Sequence, residues 1–373
     1  MKLRKDKWEN KYIEDVCENI FAGGDMPKNN FSIAKTVVFN TPIYSNGEKD
    51  KGLYGYTDIK KVTKPSITIS ARGTIGYSEI RKEAFFPIVR LIVLTPNSKL
   101  LDIYFLRFVI GNLSFASVGT SIPQLTVPMV KQVQIPLPPL SEQKQIAALF
   151  QSIETAMEQV DGQEKNLKAL RKSLINKLTK QKPEFGNLLS SKNCQSTTFG
   201  EIAECDKKYP EHEKEVERFV GLEWIEADNF QLQGYGLVAN GTTFTKRFAK
   251  GDVLFGKRRA YLKKVAVADF DGICSGDILV IRAKAKKLLQ GLLPYYISAD
   301  AFIQHAVSTS AGSLSPRTKW KDLAELEVSI PDLKIQSKIL EVFNQLEKIL
   351  SQLKHQKTTL KHLKQKLLNE ILS

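Results

Sequence analysis

The feature that most constrains this chain is an internal repeat. Displaced by 193 residues, the segment from Pro138 to Lys180 falls on Pro331 to Ser373 without a gap. Pro138, Leu140, Gln143, Ile146, Phe150 and Glu154 meet Pro331, Leu333, Gln336, Ile339, Phe343 and Glu347, and the identities continue through Leu167, Lys168, Leu170 and Asn176. Upstream the match is looser. At a displacement of 186, Ile13–Glu18 falls on Phe199–Glu204 and Ile67–Arg72 on Val253–Arg258, whereas Gly119-Thr120 and Pro123 meet Gly312-Ser313 and Pro316 at 193. A repeat of this period means two copies of one structural unit. The order is head, tail, head, tail. The tails are alike and the heads share landmarks but differ in detail, which suits a protein that must recognise two different things.

Each tail opens after a proline-rich stop, Ile135-Pro-Leu-Pro-Pro-Leu140 in the first copy and Ile330-Pro-Asp332 in the second. Ser141 is a suitable N-cap with Glu142 complementing the helix dipole, and Asp332 can serve the second helix in the same way. Seam residues, apolar except for one glutamine in each tail, then alternate by three and four: Ile146, Leu149, Ile153, Ala156, Val160, Gln163, Leu167, Leu170 and Leu174 in one tail, and Ile339, Val342, Leu346, Ile349, Leu353, Gln356, Leu360, Leu363 and Leu367 in the other. That spacing predicts a coiled-coil seam. Because the link from Lys180 to Thr197 is short, the helices should pair antiparallel about a pseudo-twofold axis. Gln163 and Gln356 then fall near the middle of the seam, where they are expected to meet, hydrogen-bond and set the helix register. Gly162 beside them would permit close approach or a bend. The fold expected is α+β, with a head over 1–138, a long helix over 139–182, a linker over 183–197, a second head over 198–330 and a second long helix over 331–373. Within the heads, strands are expected at Ser66–Ala71, Ile88–Leu94, Asp252–Phe255 and Ile278–Ile281, with helices at Ile103–Ile110 and Leu292–His305.

The formal net charge is +15 and the pI about 9.4, so the partner should be a polyanion: nucleic acid or an anionic membrane surface. The most apolar stretch, Phe85 to Leu94, is cut by Pro87 and Arg90 and is too short to span a bilayer. No apolar run follows the charged N-terminus, so neither a signal peptide nor a membrane partner is expected. Cys17, Cys194, Cys205 and Cys274 form no CxxC pair and should be reduced, as in the cytoplasm.

Basic residues interleaved with aromatics and glycines mark the candidate nucleic-acid contacts. In the first head these are Lys49, Lys51, Tyr54, Tyr56 and Arg72, with Thr120, Ser121 and Gln124 adding hydroxyl and amide groups. The second head offers Lys246, Arg247, Lys257, Arg258, Arg259 and Tyr261, with Ser313 and Arg317. A single lysine or arginine is as often a solvated surface charge, but Arg72 and Arg258 carry more weight because the repeat places them in equivalent positions. No catalytic constellation can be assembled. The chain has no GxxxxGK[ST] loop and no [DN]PP[YF] motif, Gly234-Tyr-Gly236 reads as a turn, and His212, His305, His355 and His362 lack zinc-ligand spacing.

Ile135-Pro-Leu-Pro-Pro-Leu-Ser-Glu-Gln-Lys-Gln-Ile146, followed by a long helix, resembles the central conserved region of type I restriction-modification specificity subunits. Ile330-Pro-Asp-Leu-Lys-Ile-Gln336 resembles their C-terminal conserved region, departing at Pro-Asp, and Ala71-Arg-Gly-Thr-Ile-Gly76 is similar to a turn of their target-recognition domains. The resemblance implies a non-catalytic subunit. Each target-recognition domain would read one half of a bipartite site in double-stranded DNA. The helices would set the gap and bind two methyltransferase subunits, and restriction translocase subunits would complete the enzyme. No cofactor would bind this chain; S-adenosylmethionine, ATP and magnesium would belong to its partners. The alternatives are a specificity chain of another DNA-modification or phage-defence system, and a coiled-coil adaptor whose basic heads bind protein or RNA.

Overall fold

The computed structural model describes residues 5–113, 124–180, 182–189, 193–208 and 215–372. These form two units. The first comprises Met1–Asp161 and His355–Ser373, and the second Gly162–Lys354.

In the first unit, strands β1 (Cys17–Ala22), β2 (Ser66–Ser70), β3 (Ser78–Arg81) and β4 (Leu91–Pro96) make an antiparallel sheet in the order β1-β4-β2-β3. β2 is Ser-Ile-Thr-Ile-Ser, and its alternation fits a strand covered on both faces. Ile67 and Ile69 join the core beneath helix α1 (Ile103–Ile110), while Ser66 bonds to Thr95 at 2.8 Å and Thr68 accepts from Arg81 Nε at 3.0 Å. Asp102 caps α1 by accepting from the amides of Tyr104 and Phe105. The expected strand 88–94 is interrupted at Arg90, whose φ of +67° belongs to the left-handed region.

Helix α2 spans Leu140–Leu178, and in the first unit it contributes Ile146 and Phe150 to the core. Since the helix starts at Leu140, Ser141 lies in its first turn, one position inside the expected cap.

The second unit repeats the plan with β5 (Ala203–Cys205), β6 (Val253–Gly256), β7 (Val265–Val267) and β8 (Ile278–Ala283), in the order β5-β8-β6-β7. The helix expected over 292–305 is broken at Ala299, which is extended. Helix α3 spans Leu333–Leu372, with Asp332 Oδ1 accepting from Ile335 N at 2.8 Å.

Each head is closed by pairing its first strand with its last, Glu9–Tyr12 with Gln134–Leu137 and Cys194–Thr198 with Glu327–Pro331. A buried glutamine then locks each head to its helix. Gln143 Nε2 donates to the carbonyls of Leu100 and Pro138, while its Oε1 accepts from Asp102 N. Gln336 does the same with Lys287, Pro331 and Leu289 N. Both side chains are fully buried.

The two long helices run antiparallel. In the first unit Glu154 pairs with Lys364 and Asp161 with Lys357, so an advance along α2 is a retreat along α3. In the second unit Arg171 pairs with Glu347. The pairs Glu154–Lys364 and Glu347–Arg171 are repeat equivalents, each joining the glutamate of one copy to the cation of the other. Every second position of the expected stripe is buried as expected, at Ile146, Ile153, Val160, Ile339, Leu346 and Leu353, whereas Phe150 and Phe343 replace Leu149 and Val342 one residue on. Between Ile146 and Val160 the buried positions are Ala147, Phe150 and Ile153, so Phe150 takes the inward place expected of Leu149. Leu149, Leu170, Ile349 and Leu363 are exposed. Gln163 and Gln356 are likewise exposed and lie outside the buried positions of their helices, whereas the sequence placed them in the seam. Glu164 and Lys357, one position further along each helix, are half-buried in their place. Gly162 faces open space, with no atom within 4 Å of an added Cβ, so it serves no close approach.

Candidate nucleic-acid interface

At the end of β2 the backbone of Ala71 is held from both sides. Its N–H donates to Arg90 O at 2.9 Å, and its carbonyl accepts from Leu125 N at 2.8 Å. At the end of β6, Lys257 N donates to Asp277 O at 2.9 Å, and Lys257 O accepts from Thr318 N at 3.1 Å. Ala71 and Lys257 are equivalent at the displacement of 186, Leu125 and Thr318 at 193, and Arg90 and Asp277 at 187. One three-segment backbone cradle therefore occurs twice. It carries Arg72, Arg90 and Gln124 in the first head, and Arg258, Asp277 and Arg317 in the second.

The turn after β2 closes through Ser70 N to Tyr77 O at 2.8 Å and Gly76 N to Ser70 O at 3.1 Å. Gly73 and Gly76 take φ values of +77° and +88°, which glycine adopts without a Cβ penalty. A neighbouring loop is tied to this turn, with Asn46 Nδ2 donating to Arg72 O and Gly47 N to Ser70 Oγ, both at 3.0 Å. The loop that carries the exposed Lys49 and Lys51 is thereby tied to the Arg72 turn. Arg81, stacked 3.6 Å from the Tyr44 ring centroid, supports the loop by donating to Lys51 O at 2.6 Å. Gln124 is exposed next to Leu125. Among the described residues, the side chains of Arg72, Arg90 and Gln124 have no hydrogen-bond or ion-pair partner. Tyr54 and Tyr56 stand apart from the cradle, on the strand Leu53–Thr57 beside Phe31 and Ser32. Thr120 and Ser121 lie outside the described residues.

In the second head a carboxylate organises the arginines. Asp277 Oδ1 accepts from Arg317 Nε at 2.7 Å, and Oδ2 accepts from Arg317 Nη2 at 3.3 Å and Arg258 Nη1 at 3.2 Å. The bond from Arg317, aided by Arg258 and opposed by partial burial, holds the Asp277 carboxyl below the usual carboxylate range. Arg258 and Arg317 are directly opposed across an antiparallel bridge, so they share a face. Arg259, at a φ of +53°, donates through Nη2 to Leu314 O at 3.2 Å, next to the exposed Ser313. Lys257 is half-buried and Tyr261 exposed on the same turn.

Lys246 and Arg247 lie elsewhere, on the strand Lys246–Phe248 of the second sheet in that head. Lys246 Nζ donates to Asp206 Oδ2 and Ile278 O, both at 2.7 Å, so its ammonium is committed inside the head, contrary to the expected DNA contact. Arg247 is half-buried. Sequence reasoning missed Arg90 and Asp277. The displacement that aligned Arg72 with Arg258 also aligns these two once a one-residue slip is allowed.

Burial pushes the Cys17 and Cys274 thiols up to about 12, well away from a reactive thiolate. His305 Nε2 is 2.8 Å from Asp322 O, His355 and His362 are exposed, and His212 lies outside the described residues. Among the described residues, no group of His, Cys, Asp or Glu is placed to hold a metal ion, and no helix is long and apolar enough to cross a membrane.

A family model for the type I restriction modification DNA specificity domain matches residues 5–169 and again 191–362. The chain belongs to that family. The two matches fall on the two head–tail repeats, so each copy is one specificity domain. This specificity chain is 37% identical over 152 residues to a type I specificity subunit of Mycoplasma pneumoniae, covering 40% of the chain and 45% of that relative. The match thus spans less than half of the relative's length. The S subunit of the M. genitalium type I restriction-modification system has the same fold, with a TM-score of 0.63 at 17% identity over 100% of this chain and 98% of that one. A chain from a type I R-M system solved to explain complex assembly and conformational transition gives 0.58 at 16%, covering 98% and 97%.

Proposed function

We propose that this specificity chain selects the DNA target of a type I restriction-modification enzyme, each head reading one half of a bipartite duplex site. The observation that carries this is the duplicated cradle, where the same backbone presents Arg72, Arg90 and Gln124 in one head and Arg258, Asp277 and Arg317 in the other. A common frame with different polar side chains provides two readers of two sequences, and the charge of +15 supplies sequence-independent attraction to phosphate. The long helices set the gap between half-sites and hold two methyltransferase subunits. Supporting this role, Leu149 and Leu363 in the first unit, and Leu170 and Ile349 in the second, expose apolar surface outside the seam, as a helix-docking face requires. The methyltransferase subunits bind S-adenosylmethionine and modify adenine. Restriction translocase subunits bind ATP and magnesium and cleave unmodified DNA, and the assembly works in the cytoplasm.

The test is the methylome of the source cell before and after deletion of this gene. One bipartite adenine-methylation motif is expected to disappear. Its persistence, with the methyltransferase expressed, would overturn the assignment.

A further inference from the structure

The geometry points to Asp277 as the positioning residue that aims Arg258 at a base, and to its equivalent, Arg90, as the place where the two heads' reading chemistry parts. The inference rests on the DNA-reading function proposed above. Arg258 spends only Nη1 on Asp277, and among the described residues its Nε and Nη2 have no partner. A guanidinium fixed at one corner loses rotamer freedom and keeps a two-donor edge, which is the pattern that pairs with guanine O6 and N7 in the major groove. Arg317 is differently placed. It gives Nε and Nη2 to the same carboxylate and turns Nη1 toward Ser315 O at 3.4 Å, so it braces Asp277 and is spent as a reader. Because its carboxyl is held ionised by both arginines, Asp277 keeps its grip throughout the neutral range.

The same cradle in the first head has no carboxylate. Arg90 occupies the place of Asp277, exposed and in a left-handed conformation, and Gln124 occupies that of Arg317. Among the described residues Arg72 therefore has no side-chain anchor, and the neighbouring cradle position carries a second cation. Such a pair adds attraction to phosphate, whereas the second head trades one positive charge for a fixed arginine edge.

The experiment maps adenine methylation genome-wide in cells expressing the full chain with its methyltransferase subunits, as wild type, Asp277→Asn, Asp277→Glu and Arg258→Lys. Asp277→Asn is expected to relax discrimination about tenfold at a guanine in one half-site while leaving the other half-site intact. Asp277→Glu should restore it, and Arg258→Lys should relax the same base, because an ammonium cannot bond bidentately. An unchanged motif in Asp277→Asn overturns the inference, as does equal loss of both half-sites from folded protein. If Asp277→Asn does not accumulate, Arg258→Lys decides, and a retained guanine there is equally fatal. A wild-type chain that directs no motif would instead sink the DNA-reading assignment, and this inference with it.

Discussion

The heads agree where they meet their helices and disagree where they meet solvent. At the helix end, Gln143 and Gln336 each bond two carbonyls and one amide in equivalent loops. On the cradle, a backbone pattern equally well repeated carries Arg, Arg and Gln in one head and Arg, Asp and Arg in the other. The difference separates two kinds of constraint. A buried polar side chain must satisfy every partner around it, so its chemistry is fixed wherever that loop recurs. An exposed side chain on a rigid backbone is free to change, and reading a new sequence needs no new fold.

The heaviest blow to this comparison would come from the buried glutamines. Gln143→Leu is expected to orphan the amide of Asp102 and the carbonyls of Leu100 and Pro138, costing about 3 kcal/mol or more. Gln336→Leu should cost the same, because its partners are of the same kind. Urea unfolding of the two variants checks both. A substantial loss from one and none from the other would show that the framework is not shared.

A smaller effect, and an unequal one, is expected from the charged pairs of the helices. The Arg171 side chain is 7% exposed and holds both Glu347 and the carbonyl of Asp228, whereas Lys364 and Glu154 are each more than a quarter exposed. Arg171→Leu should therefore cost about 2 kcal/mol, as expected when a buried guanidinium loses two hydrogen bonds, although its Glu347 partner is 36% exposed. Its repeat equivalent, Lys364→Leu, should cost within about 1 kcal/mol, since solvent screens the pair. Double-mutant cycles with Glu347→Gln and Glu154→Gln measure the two couplings. Equal couplings would mean that burial does not distinguish the two crossings.

Much of this was legible because the repeat is written in residues that fold. The displacement of 186 to 193 residues aligned Gln143 with Gln336 and Arg72 with Arg258, and the same displacements recur in the backbone hydrogen bonds of both heads. The helix seam was harder to place. Leu149 and Phe150 are adjacent and both apolar, so hydrophobic periodicity alone does not choose between them. The step to 150 also puts Arg171 and Lys364 on the inner side, where an apolar pattern does not look for charge. That one-residue slip carried Gln163 and Gln356 from the expected seam into solvent. Among the site residues, Lys246 shows the limit of composition. Nothing local in the sequence announces that Asp206 and the Ile278 carbonyl, 40 and 32 residues away, will take its ammonium.

The smallest effects should divide the cations into those that meet phosphate and those already spent. Lys49 and Lys51 are exposed on the loop tied to the Arg72 turn and have no ion-pair partner among the described residues. Replacing both with alanine is expected to lower the slope of log affinity against log salt by about two, roughly one per lost phosphate contact, for any duplex alike. Base preference should not move, because phosphate contacts carry no sequence information. Lys246→Ala should leave the slope unchanged, since Asp206 already neutralises that ammonium. Fluorescence anisotropy of the chain together with the methyltransferase subunits proposed for it, titrated against labelled duplex across a range of salt, reads all three. A slope that falls with Lys246→Ala and holds with the paired substitution would move the phosphate-facing surface off the cradle and onto the strand Lys246–Phe248.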